Sequence, residues 1–405
     1  MGGTDTQHKP LSWSMKRDSD PEKWDMKGQT EIKHDILEKY LQPWLFKITE
    51  VNSEVEYIDG FAGRGRYNDE SQGSPLIAMD VANEHMETLA PKLSRFGCTF
   101  VENDPDNFAN LESEVRKKER KCGPQIKPDC KNEVFESFAR QLIDQSEESI
   151  PPSFIFIDPF GFSGVPFETV KSLINLRSSG IELFITFMSG KMAQFMENPS
   201  HEVAIDDIMG TDEWRNELSP KLPKDERAEK FVRMYERQLR EEADTQYVWP
   251  FEMSEAVKRQ NAYYLVHATN HFDGFKIMKD IMYGAGADQE FAYLGPDHYP
   301  YIDEQQTLDD VGLTGDTGEH IQRLSNLLHD RFSGRTLFFS EVMKDTYEET
   351  TLIEKHYREA CKQLRDSDLA EIINRPNKPN GTESGLNKDD EIRFIPSTRL
   401  SDFSS

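Results

Sequence analysis

Residues 55–65 read Val-Glu-Tyr-Ile-Asp-Gly-Phe-Ala-Gly-Arg-Gly. A short apolar run with β character stops at an acid, Asp59, and breaks into a turn carrying Gly60, Gly63 and Gly65. Residues 98–103 give a second short strand that ends at Glu102. Residues 154–161, Phe-Ile-Phe-Ile-Asp-Pro-Phe-Gly, give a third apolar run, stopping at Asp158, Pro159 and Phe160. A glycine turn lets backbone approach a ligand because no Cβ intervenes. An acid at the tip of the following strand can accept hydrogen bonds from both ribose hydroxyls. The spacing does not give the G-x-G-x-x-G of a dinucleotide site. Gly65 is followed by Arg66 and Tyr67, not by the Lys-Ser or Lys-Thr of a phosphate loop. The pattern therefore points to a nucleoside cofactor, S-adenosylmethionine. Asp59, Gly60, Phe61, Ala62, Gly63, Gly65 and Glu102 are the expected holders, with Asp129 placed near the adenine amino group. The same glycines would also serve a plain β–α turn.

Outward from this core, strands are expected at 55–59, 98–103, 154–158 and 183–188, with helical patterns at 75–89, 106–121 and 134–145. Strands alternating with helices mean β-α-β units and a doubly wound, Rossmann-like sheet. A weak third strand is placed at 124–128 by counting. Residues 247–253 and 262–269 read as the antiparallel pair that closes a methyltransferase-type sheet. A helix at 30–48 precedes everything, and Pro43 is expected to kink or end it. On its polar side Lys33 and His34 could close over a ligand or be a solvated face.

The division expected is a flexible leader at 1–27, an α/β domain at 28–283, a linker at 284–317 and a winged-helix-like unit at 318–405. The last has three helical patterns and two strand-like runs. Its third helix carries Lys355, Arg358, Lys362 and Arg365, interleaved with Glu354, Glu359 and Asp366. DNA and protein both remain open as what it binds.

Formal net charge is -26 over 405 residues. Such a surface repels phosphate, so any nucleic acid must meet a local basic patch. The acidity fits either plain solubility or a salty cytoplasm. The four cysteines form no C-x-x-C, so no metal site is expected. No apolar run approaches membrane-spanning length, and a cytoplasmic setting without membrane contact is expected.

Asp158-Pro159-Phe160 is the expected reaction corner. In amino-directed methyltransferases a strand ends in Asp or Asn, then prolines, then an aromatic. The acid accepts hydrogen bonds from the target amine, and the aromatic stacks on the base that bears it. Here one proline is present, which leaves Phe160 or Phe162 for stacking and leaves the target an amine, a nucleobase among the candidates.

Several stretches together resemble the three-Cys-motif partner family. They are Thr-Glu-Ile-Lys-His-Asp-Ile-Leu-Glu-Lys-Tyr-Leu at 30–41, Tyr-Ile-Asp-Gly-Phe-Ala-Gly-Arg-Gly at 57–65 with Gly-Ser-Pro at 73–75, Phe-Ile-Asp-Pro-Phe-Gly at 156–161, and Tyr-Tyr-Leu-Val-His-Ala-Thr at 263–269. The resemblance implies a methyltransferase-like domain. It also implies a partner, a separate protein bearing three cysteines of radical-S-adenosylmethionine type. Two functions stay open: a methyltransferase, or a catalytically degenerate binding module serving that partner.

Overall fold

The structure is a computed structural model and describes residues 28–89, 93–145, 150–159, 164–178, 180–253, 263–286, 292–293, 316–373 and 386–396. The leader expected at 1–27 and most of the expected linker lie outside these residues, as do Phe160 and Phe162.

The chain begins with α1 (Gly28–Ile48), then β1 (Glu54–Asp59), α2 (Ser74–Leu89), β2 (Arg95–Val101), α3 (Pro105–Glu119) and β3 (Ile126–Lys131). It continues through α4 (Phe135–Asp144), β4 (Ser153–Ile157), α5 (Phe167–Ile174) and β5 (Ile181–Phe187). Four helices follow: α6 (Ser189–Phe195), α7 (Glu202–Met209), α8 (Trp214–Glu217) and α9 (Lys224–Glu241). Then come β6 (Tyr247–Met253), β7 (Tyr263–Thr269), α10 (Phe272–Ala285) and the two-residue β8 (Ala292–Tyr293).

The sheet order is β3-β2-β1-β4-β5-β7-β6-β8. Strands β1 to β5 pair in parallel, while β7 runs antiparallel to both β5 and β6. This is the expected methyltransferase-type sheet. The order reverses between β1 and β4, and an open α/β sheet binds ligands at such a switch point, outside the carboxyl ends of its strands.

Two cores flank the sheet. Alternation along the strands sends Tyr57, Phe154 and Phe184 to the face covered by α1, α2 and α10. Ile58, Ile155 and Ile185 face α4, α5, α6 and α9. Helix α1 continues past Pro43 to Ile48, so the proline does not end it. It is bolted to the sheet at Tyr40, whose hydroxyl bonds Glu182, which also contacts His267 Nε2 at 2.9 Å. A Cβ on Gly274 would come within 2.8 Å of Glu182 Oε1 and 2.9 Å of the Tyr40 hydroxyl, so this network needs glycine there. The bolt fixes where the first turns of α1 stand.

The third strand is longer and later than expected. It carries Pro128 because β3 is an edge, where one backbone face needs no donor.

The tail comprises α11 (Asp316–Phe332), β9 (Thr336–Phe338), α12 (Phe339–Thr346), α13 (Glu354–Asp366), β10 (Ala370–Ile373) and β11 (Glu391–Phe394), with sheet order β10-β11-β9. It is a winged helix. Residues 337–347, the second of the three helical patterns read in the sequence of this tail, are a strand end followed by a shorter helix. Glu341 turns back to cap the backbone N–H of Phe338 and starts that helix late.

The winged helix shares a core with the sheet domain, through Tyr247 and Phe275. At the centre of the seam, Lys279 of α10 is fully buried. Its Nζ donates to the carbonyls of Tyr347 at 2.5 Å and Thr350 at 2.6 Å. It also stands 4.3 Å from the Trp249 ring centre and 4.2 Å from that of Tyr347. Burial lowers its pKa to about 7, against the pull of Asp280 and Glu348. Around it, the Tyr347 hydroxyl bonds Asp280, Lys276 bridges Asp280 and Glu354, and Arg240 pairs with Glu348.

The first turn of α13 is therefore engaged by α10. Its basic side is largely neutralised: Arg358 pairs with Glu354, Lys362 with Glu359 and Arg365 with Asp366. Lys355 lies 5.2 Å from the Tyr283 ring centre.

Candidate functional site

The site lies at the carboxyl ends of β1, β2 and β4. Asp59, the last residue of β1, is fully buried. Its Oδ1 accepts from the Phe61 N–H at 3.2 Å, and the Ser74 hydroxyl also bonds it. Burial nonetheless raises its pKa to about 7. Ser74 opens α2, so the turn and helix converge on this carboxyl.

The turn itself is tied to both neighbouring strands. Gly60 N–H donates to Phe156 O and Ala62 N–H to Val101 O, each at 2.9 Å. Gly63 and Gly65 have φ of 62° and 78°, the left-handed region that favours glycine. The glycines also serve packing. A Cβ on Gly60 would strike the Phe135 ring at 2.7 Å, and one on Gly65 would press on Leu111 at 3.3 Å. Phe61 packs on Phe135, with ring centres 5.4 Å apart.

Glu102 follows β2 directly and is 8% exposed. Its carboxylate accepts from Asp104 N–H at 2.7 Å and from the backbone of Gly63 and Asn103. Three backbone donors leave part of its acceptor capacity for a ligand. Burial pushes its pKa up. Asn132, which the sequence reading missed, holds this corner by donating to the carbonyls of Glu102 at 2.8 Å and Asn103 at 3.2 Å.

Asp129 does not join the group. It lies inside β3 opposite Thr99, while the strand tips meet at Val101 and Lys131. Its carboxylate pairs with Lys131 at 2.8 Å and is largely exposed. The expectation that it meets adenine is corrected by register: the strand runs to Lys131, so Asp129 stops short of the ligand edge.

Asp158 stands just past β4, beside buried Pro159. It forms an ion pair with Lys33 of α1, both side chains largely buried. His34 is next to this pair, 5% exposed, its ring centre 5.8 Å from that of Tyr67. Burial, aided by Lys33, lowers the His34 pKa to about 3, so the imidazole is neutral. Tyr67 is raised by burial and then by the charges of Asp158 and Asp59. Lys33, His34, Tyr67, Asp59 and Asp158 thus form one polar cluster. The pattern of α1 allowed a lid or a solvated face; both residues are buried, so the face is not solvated, and Lys33 pairs with Asp158.

The GMT-like wHTH domain family matches residues 302–377. No curated protein matches the chain. Among solved structures, a protein from Legionella pneumophila str. Philadelphia 1 is similar at 14% identity, covering 62% of this chain and 88% of that one, with a TM-score of 0.37. Trm1 from Pyrococcus horikoshii, solved with S-adenosyl-L-methionine, is similar at 10% identity over 64% of this chain and 59% of its own, with a TM-score of 0.34. An O-methyltransferase from Bacillus cereus, solved with SAH, is similar at 11% identity over 61% of this chain and 99% of its own, with a TM-score of 0.31. No described helix is long and apolar enough to cross a membrane.

Proposed function

We propose that the chain is an S-adenosylmethionine-dependent methyltransferase acting on an amine, a nucleobase amine being one candidate. The observation that carries this is a set of three acids at the switch point, two of them buried and the third largely so. Asp59, Glu102 and Asp158 stand on the tips of three neighbouring strands, in a sheet whose order and antiparallel β7 are those of methyltransferases.

The residues suit the cofactor. Asp59 offers a carboxyl to an ammonium group, and Glu102 has acceptor capacity for ribose hydroxyls. When bound, the cofactor supplies a methyl group on a positively charged sulfur. Asp158 orients the acceptor amine by accepting its hydrogen bonds, so that the lone pair faces the methyl. Positioning is the main catalytic contribution. Calorimetry with S-adenosylmethionine tests the cofactor, and labelled methyl transfer to nucleic-acid and protein pools tests the reaction. Absence of binding would end the reading.

The Asp59 shift sets a pH dependence. A carboxyl raised by burial is protonated below its folded pKa, and that proton must leave before the group can receive an ammonium. Cofactor affinity should therefore rise as pH rises through about 7, with proton uptake by the buffer. Calorimetry in two buffers of different ionisation enthalpy reads this directly. The unliganded protein responds in the opposite sense. The folded state holds this proton more tightly than the unfolded chain, so Asp59 subtracts stability as pH climbs from the ordinary carboxyl value of 3.8 toward about 7.

Glu102→Gln should weaken cofactor binding by about 1.5–3 kcal/mol, the usual contribution of hydrogen bonds to a charged group. Parental affinity in this variant would remove Glu102 from the ribose role.

A second reading has one observation in its favour. Lys33 already occupies Asp158, the group meant for the acceptor. A cofactor-binding module that serves a three-cysteine partner protein would keep such a pair closed. Clear binding with no transfer to any pool would favour it.

A further inference from the structure

His34 Nδ1 is buried and has no hydrogen-bond partner among the described residues. A buried polar nitrogen left unpaired is destabilising, and native structures rarely keep one without a reason. It lies in the cluster with Lys33, Tyr67, Asp59 and Asp158, at the switch point. The helix that carries it is held in place by the buried Tyr40–Glu182–His267 network. The nitrogen is therefore positioned there by the fold and is not a mobile surface group.

The charge pattern indicates what it awaits. Asp59 and Asp158 can receive an ammonium group. Lys33 is a cation, and His34 is a neutral imidazole with one N–H to donate. Two carboxylates beside a lysine and a donor imidazole complement an α-amino acid zwitterion. The cofactor proposed above ends in one.

We propose that Lys33 and His34 of α1 hold the carboxylate of the cofactor's amino-acid end, while Asp59 holds its ammonium. This rests on the cofactor reading of the preceding section. The His34 Nδ1–H tautomer donates to the carboxylate. Lys33 turns from Asp158 toward the same carboxylate, a charge-assisted bond. Asp158 is then released for the acceptor amine. The ion pair of the free protein is thus the closed state of the corner, and the cofactor's carboxylate is what opens it.

The test compares two probes on the full chain by calorimetry. S-adenosylhomocysteine carries the amino-acid end, and 5′-methylthioadenosine lacks it. His34→Phe keeps the ring packing on Tyr67 and removes both nitrogens; Lys33→Met keeps the stem and removes the charge. Each should weaken S-adenosylhomocysteine about tenfold or more, the loss of one bond to a charged group, and leave methylthioadenosine within about twofold. His34→Asn, whose amide nitrogen stands where Nδ1 does, should retain most of the affinity. Equal losses on both probes would mean a merely structural role and would overturn the proposal, as would unchanged affinity for both. Failure of the unmodified protein to bind either probe would instead sink the cofactor reading itself.

Discussion

Asp158→Ala is expected to abolish methyl transfer, with a loss of about a thousandfold or more, within the range that positioned proton-handling groups contribute. Cofactor affinity should not fall, because Asp158 faces the acceptor and its removal frees Lys33 for the cofactor's carboxylate. The structure adds a complication. Removing the carboxylate also strands Lys33, a largely buried ammonium. Asp158→Asn separates the two effects. Its amide oxygen can still accept one bond from an amine or from Lys33, so it should keep partial activity and near-parental stability. Thermal melts beside single-turnover assays with labelled cofactor provide the readout. Full activity in Asp158→Ala would place the chemistry elsewhere.

Lys279→Ala is expected to loosen the winged helix from the sheet domain. The substitution leaves the carbonyls of Tyr347 and Thr350 buried without their donor and empties the space between two aromatic rings. Each of the two stranded acceptors costs about 1–3 kcal/mol, so a total of about 2–6 kcal/mol is expected. Urea unfolding should become two-step, with the tail melting first. Proteolytic nicking between the domains gives a second readout. The two halves of the parent should elute together through the intact seam, and those of Lys279→Ala should separate. Co-elution of the variant's halves, with parental stability, would show that the aromatic contacts alone hold the joint.

Much of the sheet was legible because its core strands are short apolar runs stopped by an acid. Asp59, Glu102 and Asp158 could be placed on strand tips for that reason. β3 was hard to see because its residues, Ile126-Lys-Pro-Asp-Cys-Lys131, are an edge sequence with little apolar signal. The error there shifted the tip and carried Asp129 into the site. Pro43 does not end α1. Buried Tyr40, Leu41, Trp44 and Leu45 on either side outweigh one lost backbone bond, and tertiary packing carries the helix past it. Lys33 and His34 were visible only as an ambiguous pair. Their burial depends on α1 lying over the switch point, a tertiary fact that helical periodicity does not encode. The seam was not legible at all. Lys279 looks like one more charge in a highly charged chain until two carbonyls and two rings surround it.

The two edges of the large sheet have a consequence for how copies of this chain meet. An open sheet edge is a template on which another chain can add a strand. One edge here is β3, interrupted by Pro128 and carrying Lys127, Asp129 and Lys131. The other is β8, two residues long. Neither offers a long, flat, apolar ladder. Among the described residues, strand addition is therefore discouraged at β3 by its proline and charges, and β8 is too short to offer it much.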